Sequence, residues 1–282
     1  MVVYLNGEFV KKADAKVSVD DRGFVFGDGI YEVIRVVDGH LFLPDPHMKR
    51  LAIGLDGLAI RITGSMLDSI IPIAEELIEK NELTSGHATI YLQITRGHAV
   101  RTHEFPPIDT KVTIYMSAAA FTPNLGIQEQ GVAAITMADI RWTRCDLKTV
   151  NLLPNVLAKQ RALDAGVFTA IFIRDGAVTE GQNSNIFGVK NGVLRTYPLT
   201  NYILPGITRA LVLEMADKED IPIDQSPILE SELMEMDELF LSGTTTDIQP
   251  IVTINRSSLG TGLRGEVTER FQELLRRKMA KA

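Results

Sequence analysis

Four short stretches of this chain carry groups whose types and spacing could do chemistry. Lys148 lies in Arg141-Trp142-Thr143-Arg144-Cys145-Asp146-Leu147-Lys148-Thr149-Val150-Asn151, a polar run in which Leu147, Val150 and Leu152 surround the lysine. A lysine in apolar surroundings gives up its proton more readily and can act as a nucleophile. At a strand end the same residue would run its stem out to solvent. Glu180 follows Val178-Thr179 and precedes Gly181-Gln182-Asn183-Ser184-Asn185. It is either a placed acid beside small hydrogen-bonding residues or a solvated turn residue. Ile207 and Thr208 come just after Leu204-Pro205-Gly206, where a helix start would offer free N–H groups and a hydroxyl to a phosphate. Thr244 sits in Ser242-Gly243-Thr244-Thr245-Thr246-Asp247, a hydroxyl-rich run that reads either as a phosphate cradle or as a Thr-rich turn.

The elements that must hold these groups are legible from turn chemistry and periodicity. Asn6-Gly7 predicts a hairpin between strands Val2 to Leu5 and Glu8 to Val10. Gly29 to Val37 reads as a strand turned by Asp38-Gly39 into His40 to Leu43. Pro44 and Pro46 break the chain, and Asp45 predicts a helix from Pro46 with Met48, Leu51, Leu55 and Leu58 on one face. A helix over Ser65 to Glu79 and strands over Ala88 to Thr95 and Lys111 to Ser117 follow. Phe121 to Gly126, containing Thr-Pro-Asn-Leu-Gly, reads as a linker. Beyond it come a strand from Val132 to Met137 and a helix from Asn155 to Ala165. Strands at Ala170–Ile173, Ala177–Thr179 and Ile186–Val189 turn at Asp175-Gly176 and Asn191-Gly192. A helix to about Lys218, a strand from Glu238 to Ser242 and a last helix from Val267 to Met279 complete the reading. Hairpins outnumber strand–helix–strand units, so the expected class is α+β in two domains: residues 1–120, a linker at 121–126, and a larger domain at 127–282 carrying Lys148.

Composition narrows the function classes. With 29 Lys and Arg against 36 Asp and Glu, the net charge is −7, which argues against a nucleic-acid binder. The single cysteine allows neither an internal disulfide nor a multi-cysteine zinc site, and five histidines without an H-E-x-x-H spacing indicate no metal. No apolar run approaches the ~20 residues of a membrane span, and the start turns polar too soon for a signal peptide, so a cytoplasmic protein is expected. Gly260-Thr261-Gly262-Leu263-Arg264-Gly265 satisfies G-x-G-x-x-G. Only one helix remains after it, where a dinucleotide site needs a helix and a further strand, so a loop is expected.

Taken in order, the segments resemble the fold-type IV pyridoxal-phosphate enzymes, the branched-chain and D-amino-acid aminotransferase group. Within that group they look most like D-amino-acid transaminases. The resemblance runs nearly end to end. It includes Asp21-Arg22-Gly23-Phe24-Val25-Phe26-Gly27-Asp28-Gly29-Ile30-Tyr31-Glu32, His47-Met48-Lys49-Arg50-Leu51, Thr95-Arg96-Gly97 and Arg101-Thr102-His103-Glu104-Phe105-Pro106. It continues with Asp139-Ile140-Arg141 through Asn151, Thr179-Glu180-Gly181, Pro205-Gly206-Ile207-Thr208-Arg209 and Ser242-Gly243-Thr244-Thr245. It implies a small N-terminal α/β sandwich-like domain and a larger C-terminal β-barrel-like domain with helices. It implies pyridoxal 5′-phosphate as cofactor, held covalently by Lys148, which then serves as the base. Glu180 would pair with the pyridine nitrogen, and Arg50, Ile207, Thr208 and Thr244 with the phosphate.

The subgroup rests on Arg101-Thr102-His103, which with Tyr31 would bind the substrate α-carboxylate; a guanidinium fork suits a carboxylate. The family draws that pair from the neighbouring subunit, which implies a homodimer acting on amino acids and 2-oxo acids. Gln182-Asn183 departs from the more serine-rich run expected after Glu-Gly, and Pro205 stands where another residue is expected. A branched-chain L-amino-acid aminotransferase, an (R)-amine transaminase and, more distantly, an aminodeoxychorismate lyase share the same lysine and acid. A non-catalytic binder of a phosphate ligand is the alternative from another class.

Overall fold

The computed structural model describes residues 1–281, which divide into two compact units. The first is Met1–Thr122 with Leu147–Asn151, and the second is Pro123–Asp146 with Leu152–Lys281.

The first unit is one antiparallel sheet with helices on a face. Its strands β1 (Val2–Leu5), β2 (Glu8–Lys11), β3 (Gly29–Val37), β4 (His40–Leu41), β5 (His87–Thr95) and β6 (Thr113–Ala120) lie in the order β2-β1-β6-β5-β3-β4. Asn6-Gly7 and Asp38-Gly39 turn with both residues at positive φ, the two-residue geometry that matches strand twist. Ile30, Ile34, Ile90, Leu92, Ile94, Ile114 and Met116 alternate onto the buried face. The helices are α1 (Arg22–Phe26), α2 (Pro44–Gly57), α3 (Gly64–Asp68) and α4 (Ile70–Lys80). Two expectations are corrected. Helix α2 starts at Pro44 rather than Pro46, with Asp45 in its first turn and Leu43 before it at φ 54°. Both prolines fit a first turn, where no N–H is needed. The helix expected over Ser65 to Glu79 is two, α3 and α4, because Pro72 cannot donate to the preceding turn and so sits in the first turn of a new helix.

The lysine segment is a further correction, since Leu147–Asn151 belongs to the first unit and not to the C-terminal one. It attaches as backbone to the outer end of β3: Tyr31 N–H donates to the Lys148 carbonyl at 3.0 Å and Val150 N–H to the Gly29 carbonyl at 3.0 Å. Leu147 adds its side chain to the first unit's core. Sequence separation hides such pairing, since β3 lies more than a hundred residues upstream.

The second unit holds α5 (Leu125–Gln130), β7 (Val132–Ala138), α6 (Leu153–Asp164), β8 (Thr169–Arg174), β9 (Ala177–Gly181), β10 (Asn185–Lys190), β11 (Val193–Thr196), α7 (Ile207–Lys218), β12 (Ile223–Asp224), β13 (Glu238–Gly243), β14 (Asp247–Ile254), β15 (Ser257–Ser258) and α8 (Glu266–Met279). Residues 125 and 126, expected in a linker, begin α5, which Asn124 caps through Ile127 N–H. Strands run β12-β11-β10-β13-β14-β7-β8-β9, and β9 pairs back onto β10 through Glu180 and Asn185. Six strands therefore close on themselves, the barrel that the resemblance implied. Val132, Ala134, Ile171, Val178, Ile186, Leu239, Leu241 and Ile251 pack together in its core, while Phe271 of α8 meets the stacked pair Phe187 and Phe240. Among the described residues, no helix is long and apolar enough to cross a membrane, and no group of three or more His, Cys, Asp or Glu could hold a metal ion.

The G-x-G-x-x-G stretch is the loop between β15 and α8. The helix N–H groups that a dinucleotide phosphate would need are already taken. The Glu238 carboxylate accepts from Val267 N–H at 3.0 Å, Thr268 N–H at 2.8 Å and the Thr268 hydroxyl at 2.6 Å. Gly265 makes room for it, since a Cβ there would collide with the Glu238 side chain. An acid at a helix start is worth about 1–2 kcal/mol. Glu238→Ala is therefore expected to lower the urea midpoint by that equivalent at unchanged slope; an unchanged midpoint would remove this cap from the account.

Candidate functional site

In the first unit the groups gather on β3, α2 and the lysine segment. Glu32 faces the core side of β3 and is wholly buried. Arg50 grips it with two parallel bonds, Nε to Oε1 at 2.7 Å and Nη2 to Oε2 at 2.8 Å, and His47 Nδ1 lies 2.8 Å from Oε2. His47 and Arg50 stand three residues apart on α2, so they share a helix face. Burial alone would raise Glu32, but the Arg50 and His47 bonds, with Lys148 nearby, hold it down at about 2. Burial pushes His47 below its usual value against the pull of Glu32, leaving a neutral imidazole. On the half-buried face of the same strand, the Lys148 ammonium sits 4.2 Å from the Tyr31 ring centroid. The structure thus brings Lys148 onto Tyr31 on one face of β3 and Arg50 onto Glu32 on the other.

Arg101 and His103 occupy the loop between β5 and β6, both exposed. They flank Phe26 of α1, with the Arg101 guanidinium 5.4 Å and the His103 ring 5.7 Å from the Phe26 ring centroid.

In the second unit Glu180 sits at the ladder position that closes the barrel, with its side chain buried. Oε1 accepts from Asn185 Nδ2 at 2.7 Å and from Leu204 N–H at 2.9 Å, and Oε2 accepts from Arg141 Nη1. Arg141 is paired in turn with Asp139 at 2.9 and 2.8 Å, and Asp139 also meets Arg174 at 3.1 Å and the Thr179 hydroxyl at 2.9 Å. Burial raises the proton affinity of Glu180, with Arg141 opposing. Asp139 stays below the ordinary carboxylate range despite burial, because Arg141 bonds and faces it. Burial pushes the Cys145 thiol up to about 11, which disfavours its thiolate.

Ile207 and Thr208 open α7. No side chain caps that helix start: Gly206 precedes it in extended geometry and contributes no acceptor. Thr244 lies in the turn between β13 and β14, and among the described residues the Ser242 hydroxyl two positions before it is buried without a hydrogen-bond partner, as is that of Ser184. Asp139, Arg141, Glu32 and His47 are functional candidates that sequence reasoning passed over, although all four stand inside the segments it quoted. Glu32 carried a readable signal: a charge on the inward side of an apolar strand. The Gln182 departure has a local role instead. Its side-chain oxygen accepts from the Thr169 hydroxyl at 2.5 Å and Ala170 N–H at 2.7 Å, holding the chain just past β9 against the start of β8.

The pattern that defines the family described as Amino-transferase class IV matches residues 29–254. The chain is 40% identical to the D-alanine aminotransferase of Staphylococcus haemolyticus over 271 residues, 96% of this chain and 95% of that protein. Among solved structures, the branched-chain amino acid aminotransferase of Escherichia coli shares the fold with a TM-score of 0.86 at 28% identity, covering 96% of this chain and 92% of that one. The branched-chain aminotransferase of Thermoproteus uzoniensis, solved with norvaline, gives 0.87 at 28% identity, with 100% and 95% covered. With a family pattern spanning most of the chain, a near-full-length relative at 40% identity and a barrel and sheet of matching architecture, this chain belongs to the fold-type IV pyridoxal-phosphate aminotransferases, in the branched-chain and D-amino-acid group.

Proposed function

We propose that this aminotransferase takes the amino group of a D-amino acid such as D-alanine and passes it to a 2-oxo acid such as 2-oxoglutarate, working as a homodimer. The observation that carries the reading is the Arg101–His103 loop. Among the described residues the Arg101 guanidinium pairs with no carboxylate, and the His103 imidazole stands beside it across Phe26. A cation and a ring donor exposed on one loop suit a small carboxylate. Near-full-length similarity to proteins named D-alanine aminotransferase supports the same reading. Phe24, Val100, Phe105 and Ile108 are all more than 60% exposed around this loop, an apolar surface that a second copy would cover while the loop serves the partner's site.

The residues present fit pyridoxal phosphate. The uncapped start of α7 leaves N–H groups for a phosphate, and among the described residues the buried hydroxyls of Ser184 and Ser242 have no hydrogen-bond partner. In this reading Ile207, Thr208 and Thr244 bind the phosphate, with Arg50 held in place by Glu32. Lys148 anchors the cofactor covalently. Glu180, its proton affinity raised by burial, holds a proton on the ring nitrogen. Pyridoxal phosphate bound there would supply an electron sink for the pair left when the substrate Cα–H bond breaks. Lys148, released by substrate, would take the proton from Cα and deliver it to the cofactor's C4′, while Tyr31, Arg101 and His103 orient the substrate.

The direct test supplies D-alanine and 2-oxoglutarate and measures pyruvate. Pyruvate from D-alanine and none from L-alanine is expected; turnover of L-leucine with D-alanine inert would transfer the chain to the branched-chain reaction. Pyruvate released catalytically from aminodeoxychorismate with no 2-oxo acid present would mean the lyase instead. Lys148→Ala is expected to cut turnover by about 1,000-fold or more and to leave the cofactor removable after borohydride treatment. A variant within about tenfold of the parent rate would take Lys148 out of the chemistry.

A further inference from the structure

We propose that Arg22, on the short helix α1, is a positioning residue for substrate-carboxylate recognition: it holds the loop that carries Arg101 and His103. This rests on the reading of those two residues given above.

Five residues do not make a stable helix unaided. Helix α1 is fixed from outside at both ends. Asp21, almost fully buried, accepts from Gly23 N–H at 2.8 Å with one oxygen. With the other it accepts from the Thr95 hydroxyl at 3.0 Å and the Thr113 hydroxyl at 2.6 Å, so the helix start is tied to the ends of β5 and β6. At the other end Asn151 Nδ2, directly after Val150 in the lysine segment, donates to the Gly27 carbonyl at 3.1 Å.

From this fixed base Arg22 reaches into the loop. Its side chain is about 95% buried. Nε pairs with Asp28 at 2.9 Å, and Nη1 donates to the Thr102 carbonyl at 2.9 Å and the Glu104 carbonyl at 3.3 Å. Those two carbonyls bracket His103, and Thr102 directly follows Arg101. One guanidinium therefore sets the backbone on both sides of the imidazole. It also stacks over Phe26 at 4.7 Å, the same ring that Arg101 and His103 flank. Charge-assisted bonds from a rigid planar donor are the strong, directional kind.

The base of the loop is closed independently. Arg22 N–H donates to the Gly97 carbonyl at 2.9 Å, and Gly97, at φ 91°, has no room for a Cβ against the Lys111 carbonyl. Arg96 shares Asp28 with Arg22, at 2.7 and 3.0 Å, and otherwise donates only to the Leu58 and Ala59 carbonyls. Two buried guanidiniums thus share one carboxylate. Loss of Arg22 would free two carbonyls to water and let the Arg101–His103 backbone wander, with no group that touches the reacting atoms removed.

The consequence is a selective rise in half-saturation for carboxylate-bearing substrates. The experiment follows the cofactor absorbance of the holoenzyme in single turnovers with D-alanine and with D-alaninamide, which lacks the carboxylate. Arg22→Ala is expected to raise half-saturation for D-alanine about 3- to 10-fold, leaving the maximal rate and the D-alaninamide constants within about twofold. Arg22→Lys keeps the charge beside Asp28 but cannot span both carbonyls, so an intermediate, equally selective loss is expected; it carries the test if Arg22→Ala does not fold. Arg101→Ala is the reference, with a larger selective loss of about 10- to 100-fold. A selective loss in Arg101→Ala with none in the Arg22 variants overturns the inference alone. Equal losses for both substrates in the Arg22 variants overturn it as well, by showing general structural damage. No selectivity in Arg101→Ala overturns the carboxylate-site reading and the role of Arg22 together.

Discussion

Glu180 is a carboxylate sealed into the wall of a barrel, and the second unit is organised around keeping it there. An isolated buried carboxylate costs several kcal/mol, so it persists only where donors surround it. Here the donors come from three places: Asn185 across the closing ladder, the Leu204 backbone ahead of α7, and Arg141. Arg141 would itself be an uncompensated charge without Asp139, which is shared in turn with Arg174. The result is a row of alternating charges, Glu180–Arg141–Asp139–Arg174, whose sum is zero. Closing the barrel and placing the acid are therefore one event, because the residue pair that joins β9 to β10 is Glu180 and Asn185.

The first unit solves a similar problem by similar means. Glu32 lies on the apolar side of a strand, where its charge is tolerated because Arg50 takes both oxygens in parallel and His47 adds a third contact. The arrangement fixes the Arg50 guanidinium on α2. The Leu147–Asn151 segment then continues the sheet edge, bringing Lys148 over Tyr31. In both units an ion pair with little access to water holds a side chain in one geometry, a use to which buried pairs are better suited than to stability.

Much of the local structure was legible in the sequence, and the reasons are short-range. Asn6-Gly7, Asp38-Gly39, Asp175-Gly176 and Asn191-Gly192 all turn at positive φ, as their types require. The α7 start after Pro205-Gly206 follows from the same kind of rule. What was not legible depends on partners far along the chain. Nothing local to Leu147–Asn151 reveals that it pairs with β3, and nothing local to Asp139 and Arg141 reveals the acid about forty residues on that needs them. The division of the expected 65–79 helix was within reach, since Pro72 forbids an unbroken run; periodicity had outweighed a single residue. The candidate chemistry was read from the ordered set of segments, because a lone lysine or a lone glutamate is compatible with too many roles.

We propose that the buried Glu180 keeps the ring nitrogen of the bound cofactor protonated. Nitrogen-15 magnetic resonance of the holoenzyme, reconstituted with pyridoxal phosphate labelled at the ring nitrogen, observes that proton directly. Because the Glu180 carboxylate is withdrawn from water, the shift of a protonated nitrogen is expected to hold between about pH 6 and 9 in the parent enzyme. In Glu180→Gln it should move to that of the neutral ring. A neutral-ring shift in the parent enzyme at about pH 7, or a protonated shift that survives Glu180→Gln, would contradict the account.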